Sequence, residues 1–319
     1  MRVLKAADAK VEDLAFTPDG CAIAAGTLYN GIFLWNLEAV PPSPVQVSAE
    51  GYKKGGLYFS SDSRSLLWLA TGPVQRCFNR DTRNTTDLKP FTDSKRTLEI
   101  LLNTSGEFGI SLHGIPEHRL YSWRLVDDLW VQMGSLSIAE FAVENLSISQ
   151  DGKLFAMLTR SALEEDWDKK PRRVELHDVT TAALRATGEY PYKYGDKYGG
   201  RLLFSPDSSQ LVGFNNMNLL VWRITEHGDL GTPRLVRNTT RKQFTAFAFH
   251  PSGRHLYVTS NGEDVRDATV QIFDAATWTR VEQFTWQLVN LKSIAISPDG
   301  TLAAAGGDRG DIVIWDVDL

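Results

Sequence analysis

The chain has 319 residues, of which 42% are hydrophobic, 23% charged and 10% aromatic, and its 34 basic against 39 acidic residues leave a net charge of −5. A chain this long buries roughly three quarters of the surface its unfolded form exposes, which excludes general disorder. The mild acidity argues against a nucleic-acid or anionic-membrane surface as its main business.

One pattern recurs seven times along the chain: a short apolar strand, a turn of the Ser/Thr-Pro-Asp-Gly kind, and another apolar strand. In order, the instances are 14–20, 57–63, 100–106, 146–152, 202–208, 247–253 and 294–300, with the sixth residue of each at 19, 62, 105, 151, 207, 252 and 299. Proline presets the first corner of such a turn, aspartate bonds nearby backbone, and glycine accepts a positive φ at the exit. A second landmark follows each turn, an aromatic or His that ends an apolar strand and precedes a polar residue or Arg. The series is Trp35-Asn36, Phe78-Asn79, Trp123-Arg124, His177-Asp178, Trp222-Arg223, Phe273-Asp274 and Trp315-Asp316.

The apolar runs are short, rich in Val, Ile, Leu and aromatics, and bounded by Gly, Pro, Asp and Ser, which predicts strands. Only the stretch around Ser161–Asp168 has helical appeal. A repeat of about 45 residues holds four short strands, one propeller blade. The prediction is an all-β, seven-bladed β-propeller of four-stranded antiparallel blades, one domain over 1–319. Residues 2–6 are expected to supply the missing outer strand of the last blade, closing the ring and hiding a sheet edge. Trp35, Trp222 and Trp315 are expected in the core.

Val313-Ile-Trp-Asp316 after Ser297-Pro-Asp-Gly300, and Gly31-Ile-Phe-Leu-Trp-Asn36 after Pro18-Asp-Gly20, resemble WD-repeats. The resemblance spans essentially the whole chain and is weaker in blades 2, 3 and 4. The Gly-His dipeptide typical of that family does not occur, so its polar tetrad is incomplete and blade rigidity is expected to rest on apolar packing. The resemblance implies a non-catalytic protein-interaction scaffold.

Irregularities in a repeat mark where function is added. Blade 4 carries a longer second-to-third turn, 160–173, and a long link into blade 5, 188–200; both should emerge on the same face. They offer Trp167, Tyr190, Tyr192, Tyr194 and Tyr198 with Lys169, Lys170, Arg172, Lys193 and Lys197, a composition suited to a protein or peptide partner. The competing reading is that these rings fold down and only pack. A second insertion, 260–267, lacks calcium-loop spacing and reads as a solvated turn.

The alternative readings are weaker. Asp13, Glu99, Asn145 and Arg201 fall near the expected channel mouth, where oxygen ligands could hold a cation for lactonase-like hydrolysis, although Arg201 would oppose one. His255-Leu-Tyr-Val-Thr259 resembles repeats of lactonase-like propellers. Basic clusters with aromatics occur only at the blade 4 and 5 loops, which leaves a nucleic-acid-associated subunit as a further alternative. His177 and His250 read as structural. No cofactor, metal or small-molecule substrate is expected. Cys21 and Cys77 form no metal-ligand pair, the N-terminus turns polar at once, and no run of about 18 apolar residues occurs. A cytoplasmic protein without a membrane partner is expected.

Overall fold

The structure, a computed structural model, describes residues 1–317 except 51, 53–55, 70–74, 89–96, 104, 115–116, 128, 162–171, 192–199, 216, 241, 263–266, 287 and 289. The strands run β1 (Arg2–Lys5), β2 (Val11–Phe16), β3 (Ala22–Thr27), β4 (Gly31–Asn36), β5 (Pro44–Ser48), β6 (Leu57–Phe59), β7 (Ser65–Leu69), β8 (Gln75–Asn79) and β9 (Thr85–Leu88). They continue through β10 (Thr97–Leu102), β11 (Phe108–His113), β12 (Arg119–Val126), β13 (Leu129–Ser137), β14 (Phe141–Ile148), β15 (Leu154–Ser161), β16 (Arg172–Asp178) and β17 (Leu184–Tyr190). Next are β18 (Arg201–Phe204), β19 (Gln210–Asn215), β20 (Asn218–Arg223), β21 (Arg234–Arg237), β22 (Gln243–Phe249), β23 (His255–Asn261), β24 (Ala268–Asp274) and β25 (Arg280–Trp286). The last three are β26 (Leu291–Ile296), β27 (Leu302–Gly307) and β28 (Asp311–Asp316). Among the described residues there is no helix, and the strands form seven four-stranded antiparallel sheets.

Six sheets are simple meanders, β2 to β5 being the first; the seventh has the order β1-β28-β27-β26. As the sequence predicts, the first strand completes the last blade: Arg2 pairs with Ile314 and Lys5 with Asp311. The strand stops at Lys5, one residue short of the expected Ala6, whose N–H still donates to the Gly310 carbonyl.

The chain divides into two units. One comprises Met1–Lys95 with Thr245–Leu319, the other Arg96–Phe244. In the first, Leu4, Phe16, Ile23, Trp35, Ile312 and Ile314 pack together. Another cluster in that unit joins Tyr257, Val270, Leu291, Val313 and Trp315. In the second, Leu158, Val174, Leu176, Tyr190, Leu211 and Trp222 form one core cluster, and Ile110, Leu120, Phe155 and Met157 belong to another. Trp35, Trp222 and Trp315 are all buried.

The repeated turn explains its own sequence. In blade 1 the Thr17 hydroxyl donates to Asp19 Oδ1 and the Cys21 N–H donates to the same oxygen. Ser60–Asp62, Ser149–Asp151, Ser205–Asp207 and Ser297–Asp299 repeat the hydroxyl bond. The exit residue has a positive φ in all seven turns: Gly20, Ser63, Gly106, Gly152, Ser208, Gly253 and Gly300. The polar residue after the aromatic landmark has a cause too. Asn79, Asp178 and Asp274 each accept a backbone N–H three residues on and so hold the turn into the fourth strand.

Polar links inside the blades are richer than the missing Gly-His dipeptide suggests. In blade 3, Trp123 Nε1 donates to Ser111 Oγ at 2.8 Å, and His113 Nε2 meets the same hydroxyl at 2.8 Å. The His is on the second strand itself. Burial lowers its pKa, with the Glu117 carboxylate opposing. In blade 4, His177 bonds Glu175 and the Ala182 carbonyl and stacks on Phe155. Rigidity by apolar packing alone fits blades 5 and 7, where Trp222 Nε1 and Trp315 Nε1 have no hydrogen-bond partner among the described residues.

Candidate interaction site at the fourth and fifth blades

The two irregular segments grow from neighbouring strand ends. Register sets Thr159 opposite Arg173 and Arg172 opposite Tyr190, so the long turn and the long link leave blade 4 side by side. Trp167, Lys169, Lys170, Tyr192, Lys193, Tyr194, Lys197 and Tyr198 lie outside the described residues. The structure therefore describes the base of this site.

That base is built on a β-bulge. The register of β14 against β15 shifts between Val143 and Asn145, leaving Glu144 as the extra residue. A bulge re-aims side chains that simple alternation would send to opposite faces. Glu144 reaches Arg160 Nε at 3.0 Å and Arg172 Nε at 2.5 Å. Its side chain is only 12% exposed and that of Arg172 only 8%. Two guanidiniums on one buried carboxylate make a charge cluster at the root of the turn, a geometry in which losing one member is costly. Asn145, the next residue, turns to the adjoining blade and accepts the Leu202 N–H at 2.7 Å.

Tyr190 is 2% exposed. Its ring stacks on Trp222 at 5.9 Å and its hydroxyl donates to the Phe214 carbonyl. Gly200 makes room, since a Cβ there would lie 2.4 Å from the Tyr190 hydroxyl oxygen. Tyr190 and Arg172 thus sit beneath the surface and carry the loops, where the sequence reading placed them among contact residues. A buried tyrosine and an exposed one look alike in a Tyr-rich run, and only the glycines at 200 and 213 hinted at a ring needing space.

Two of the channel-mouth residues, Asp13 and Asn145, tie one sheet to the next. Asp13 follows the same kind of bulge in β2, and its Oδ2 accepts both the Tyr52 hydroxyl at 2.8 Å and the Leu57 N–H at 2.9 Å. Burial, with the adjacent Asp13 carboxylate, pushes the Tyr52 phenol well above its ordinary value. Ser293, after the bulge in β26, donates to the Val11 carbonyl. Glu99 follows a bulge in β10, and Arg201 opens β18 and pairs with Phe214. Asp13 belongs to one unit, Glu99, Asn145 and Arg201 to the other. Among the described residues no three His, Cys, Asp or Glu side chains stand together as a metal-holding group.

The 260–267 insertion is less solvated than expected. Ser260 and Asn261 are buried in β23, and Asn261 bonds both the N–H and the carbonyl of Leu291 in the next blade. Residues 263–266 lie outside the described residues. Sequence reading also missed a groove of about 440 Å³ between blades 1 and 2. Its charges balance: Arg80 lies 3.7 Å from Asp19, and Arg64 lies 3.6 Å from Asp81.

With this geometry in hand, comparisons with known proteins define the class. The family model described as WD domain, G-beta repeat, matches residues 283–316, the last repeat. The β-propeller domain of Cps50 (Swd1) from Myceliophteria thermophila superposes with a TM-score of 0.71 at 13% identity, covering 99% of this chain and 100% of that one. No curated protein sequence matches the chain. The protein is a seven-bladed β-propeller whose last repeat is similar to WD repeats.

Proposed function

We propose that this propeller is a non-catalytic scaffold that docks a protein or peptide on the loops over blades 4 and 5. The observation that carries the reading is the buried root of those loops: Glu144 with Arg160 and Arg172, beside Tyr190 locked on Trp222. A rigid root lowers the ordering cost when a partner engages the segments it supports. Those segments concentrate Trp167, Tyr192, Tyr194 and Tyr198 with Lys169, Lys170, Lys193 and Lys197. Aromatics with a polar tip, edged by cations, are the usual currency of interface hot spots. The sparse cysteines suit a cytoplasmic setting for this role.

The test is capture of partners from a lysate of the source cells by the wild type and by a Trp167→Ala, Tyr194→Ala variant. The reading expects the variant to lose the captured protein while its melting temperature stays unchanged. Undiminished capture with a lowered melting temperature would leave these rings a packing role only.

A further inference from the structure

We propose that Pro41-Pro42-Ser43-Pro44, on the outer margin of blade 1, is a docking segment read in the polyproline conformation by the aromatic-lined groove of a small partner domain. The segment joins β4 to β5, and β5 is the outer strand of its sheet. The corresponding turns of blades 2, 4 and 6 share one design. They span 80–84, 179–183 and 275–279, and the N–H groups of Asn79, Asp178 and Asp274 close them by donating to the carbonyls of Asn84, Ala183 and Thr279. Blade 1 starts alike, with Asn36 Oδ1 accepting the Glu38 N–H as Asp274 Oδ1 accepts that of Ala276. It then departs from the pattern. Its turn spans 37–43, two residues longer, and carries the prolines. An irregularity in a repeat is where function is added.

Local sterics fix the shape of this segment. Each proline ring locks its own φ, which sets Pro41, Pro42 and Pro44. A residue that precedes proline is pushed into the extended or polyproline region, which sets Pro41 again and Ser43. Pro42 and Ser43 accordingly belong to no turn, helix or strand. A segment restrained in this way has little freedom left to lose on binding, and prolines at the PxxP spacing are what aromatic-lined grooves read.

The segment is open to a partner. Val40, just ahead of it, is 96% exposed, more than any other large hydrophobic among the described residues. Pro41, Ser43 and Pro44 are exposed and Pro42 is half-buried. Val45, just after it, is 39% exposed and lines the groove between blades 1 and 2, so apolar surface continues past the last proline. Pro44 stands in β5, paired with Trp35, and by itself blunts that sheet edge. Pro41 and Pro42 precede the strand and have no part in that role. Charge does not choose the partner here, because Glu38 and Arg2, of opposite sign, stand at the same end; Arg2 donates to the Leu37 carbonyl at 2.7 Å. The proline spacing chooses it.

The experiment titrates the full chain into a panel of isotope-labelled SH3 and WW domains, followed by NMR, with far-UV circular dichroism confirming that each variant is folded. At least one domain should show shifts at its groove aromatics. In a PxxP contact Pro41 and Pro44 enter the groove and Pro42 does not. Pro41→Ala or Pro44→Ala should therefore weaken that binding roughly tenfold, and Pro42→Ala by roughly threefold at most. A panel in which no domain responds overturns the proposal. Equal losses from Pro41→Ala and Pro42→Ala overturn it too, since they would mean that the prolines only stiffen the turn.

Discussion

Replacing Ser208 by Gly should stabilise the protein, while the same change at Ser63 should not. Both serines close a repeated turn with a positive φ, 59° and 62°. A left-handed conformation costs an ordinary residue roughly 1–2 kcal/mol. Glycine escapes that cost and loses roughly 0.5–1 kcal/mol of it to the greater freedom of the unfolded chain. The two sites differ in their hydroxyls. Ser208 Oγ is buried without a partner among the described residues, so its removal also relieves desolvation worth about 1 kcal/mol. Ser63 Oγ accepts the Asp19 N–H of the preceding blade at 3.0 Å, and its loss costs about as much as the backbone gains. Ser208→Gly should therefore gain about 1–2 kcal/mol, a rise of roughly 3 °C in melting temperature for a chain of this size. Ser63→Gly should stay near zero. Differential scanning calorimetry reads both. A lowered melting temperature for Ser208→Gly, or equal rises for the two, would refute the reasoning.

Other outcomes follow from the same contacts. Trp222→Ala should cost about 3–5 kcal/mol, whereas Trp222→Phe should cost less than half of that in urea denaturation, because Nε1 has no bond to lose. Glu144→Gln removes the carboxylate that Arg160 and Arg172 share and should cost about 1.5–3 kcal/mol by the same assay. Asp299 is held below the ordinary carboxylate value first by the Ser297 hydroxyl, against a smaller upward push from burial, and then by the Thr301 N–H. With its folded pKa depressed, its contribution is present above the unfolded pKa and is lost as pH falls through the folded one. Thermal melts at descending pH below about 4 should therefore fall less steeply for Asp299→Asn than for the wild type.

The fold was legible because its signals are local. Thr17-Pro-Asp-Gly20 and its relatives fix a hydroxyl–carboxylate bond and a positive φ within a few residues. Asn79, Asp178 and Asp274, each following an aromatic or His landmark, hold the next turn. The pairing of Arg2–Lys5 with Asp311–Ile314 could be argued because the last repeat lacked a strand. The bulges at Glu12, Leu98, Glu144 and Lys292 were not legible. A bulge is a mismatch between two strands, and nothing in one strand's own pattern announces it. Asp13 and Asn145 consequently looked like free mouth residues, when the bulge turns them sideways into the next blade. The His113–Ser111–Trp123 relay escaped for a related reason: its His belongs to a strand, away from the place the family pattern reserves for it. At the candidate site the sequence showed which residue types gather but not that the Tyr190 ring is buried against Trp222.

The most direct measurement is hydrogen–deuterium exchange of the chain with and without its captured partner. The account predicts that slowed exchange on binding concentrates in 161–172 and 190–200, with the strands beneath unchanged. Slowed exchange confined to other loops, with those two segments exchanging as freely as before, would contradict it.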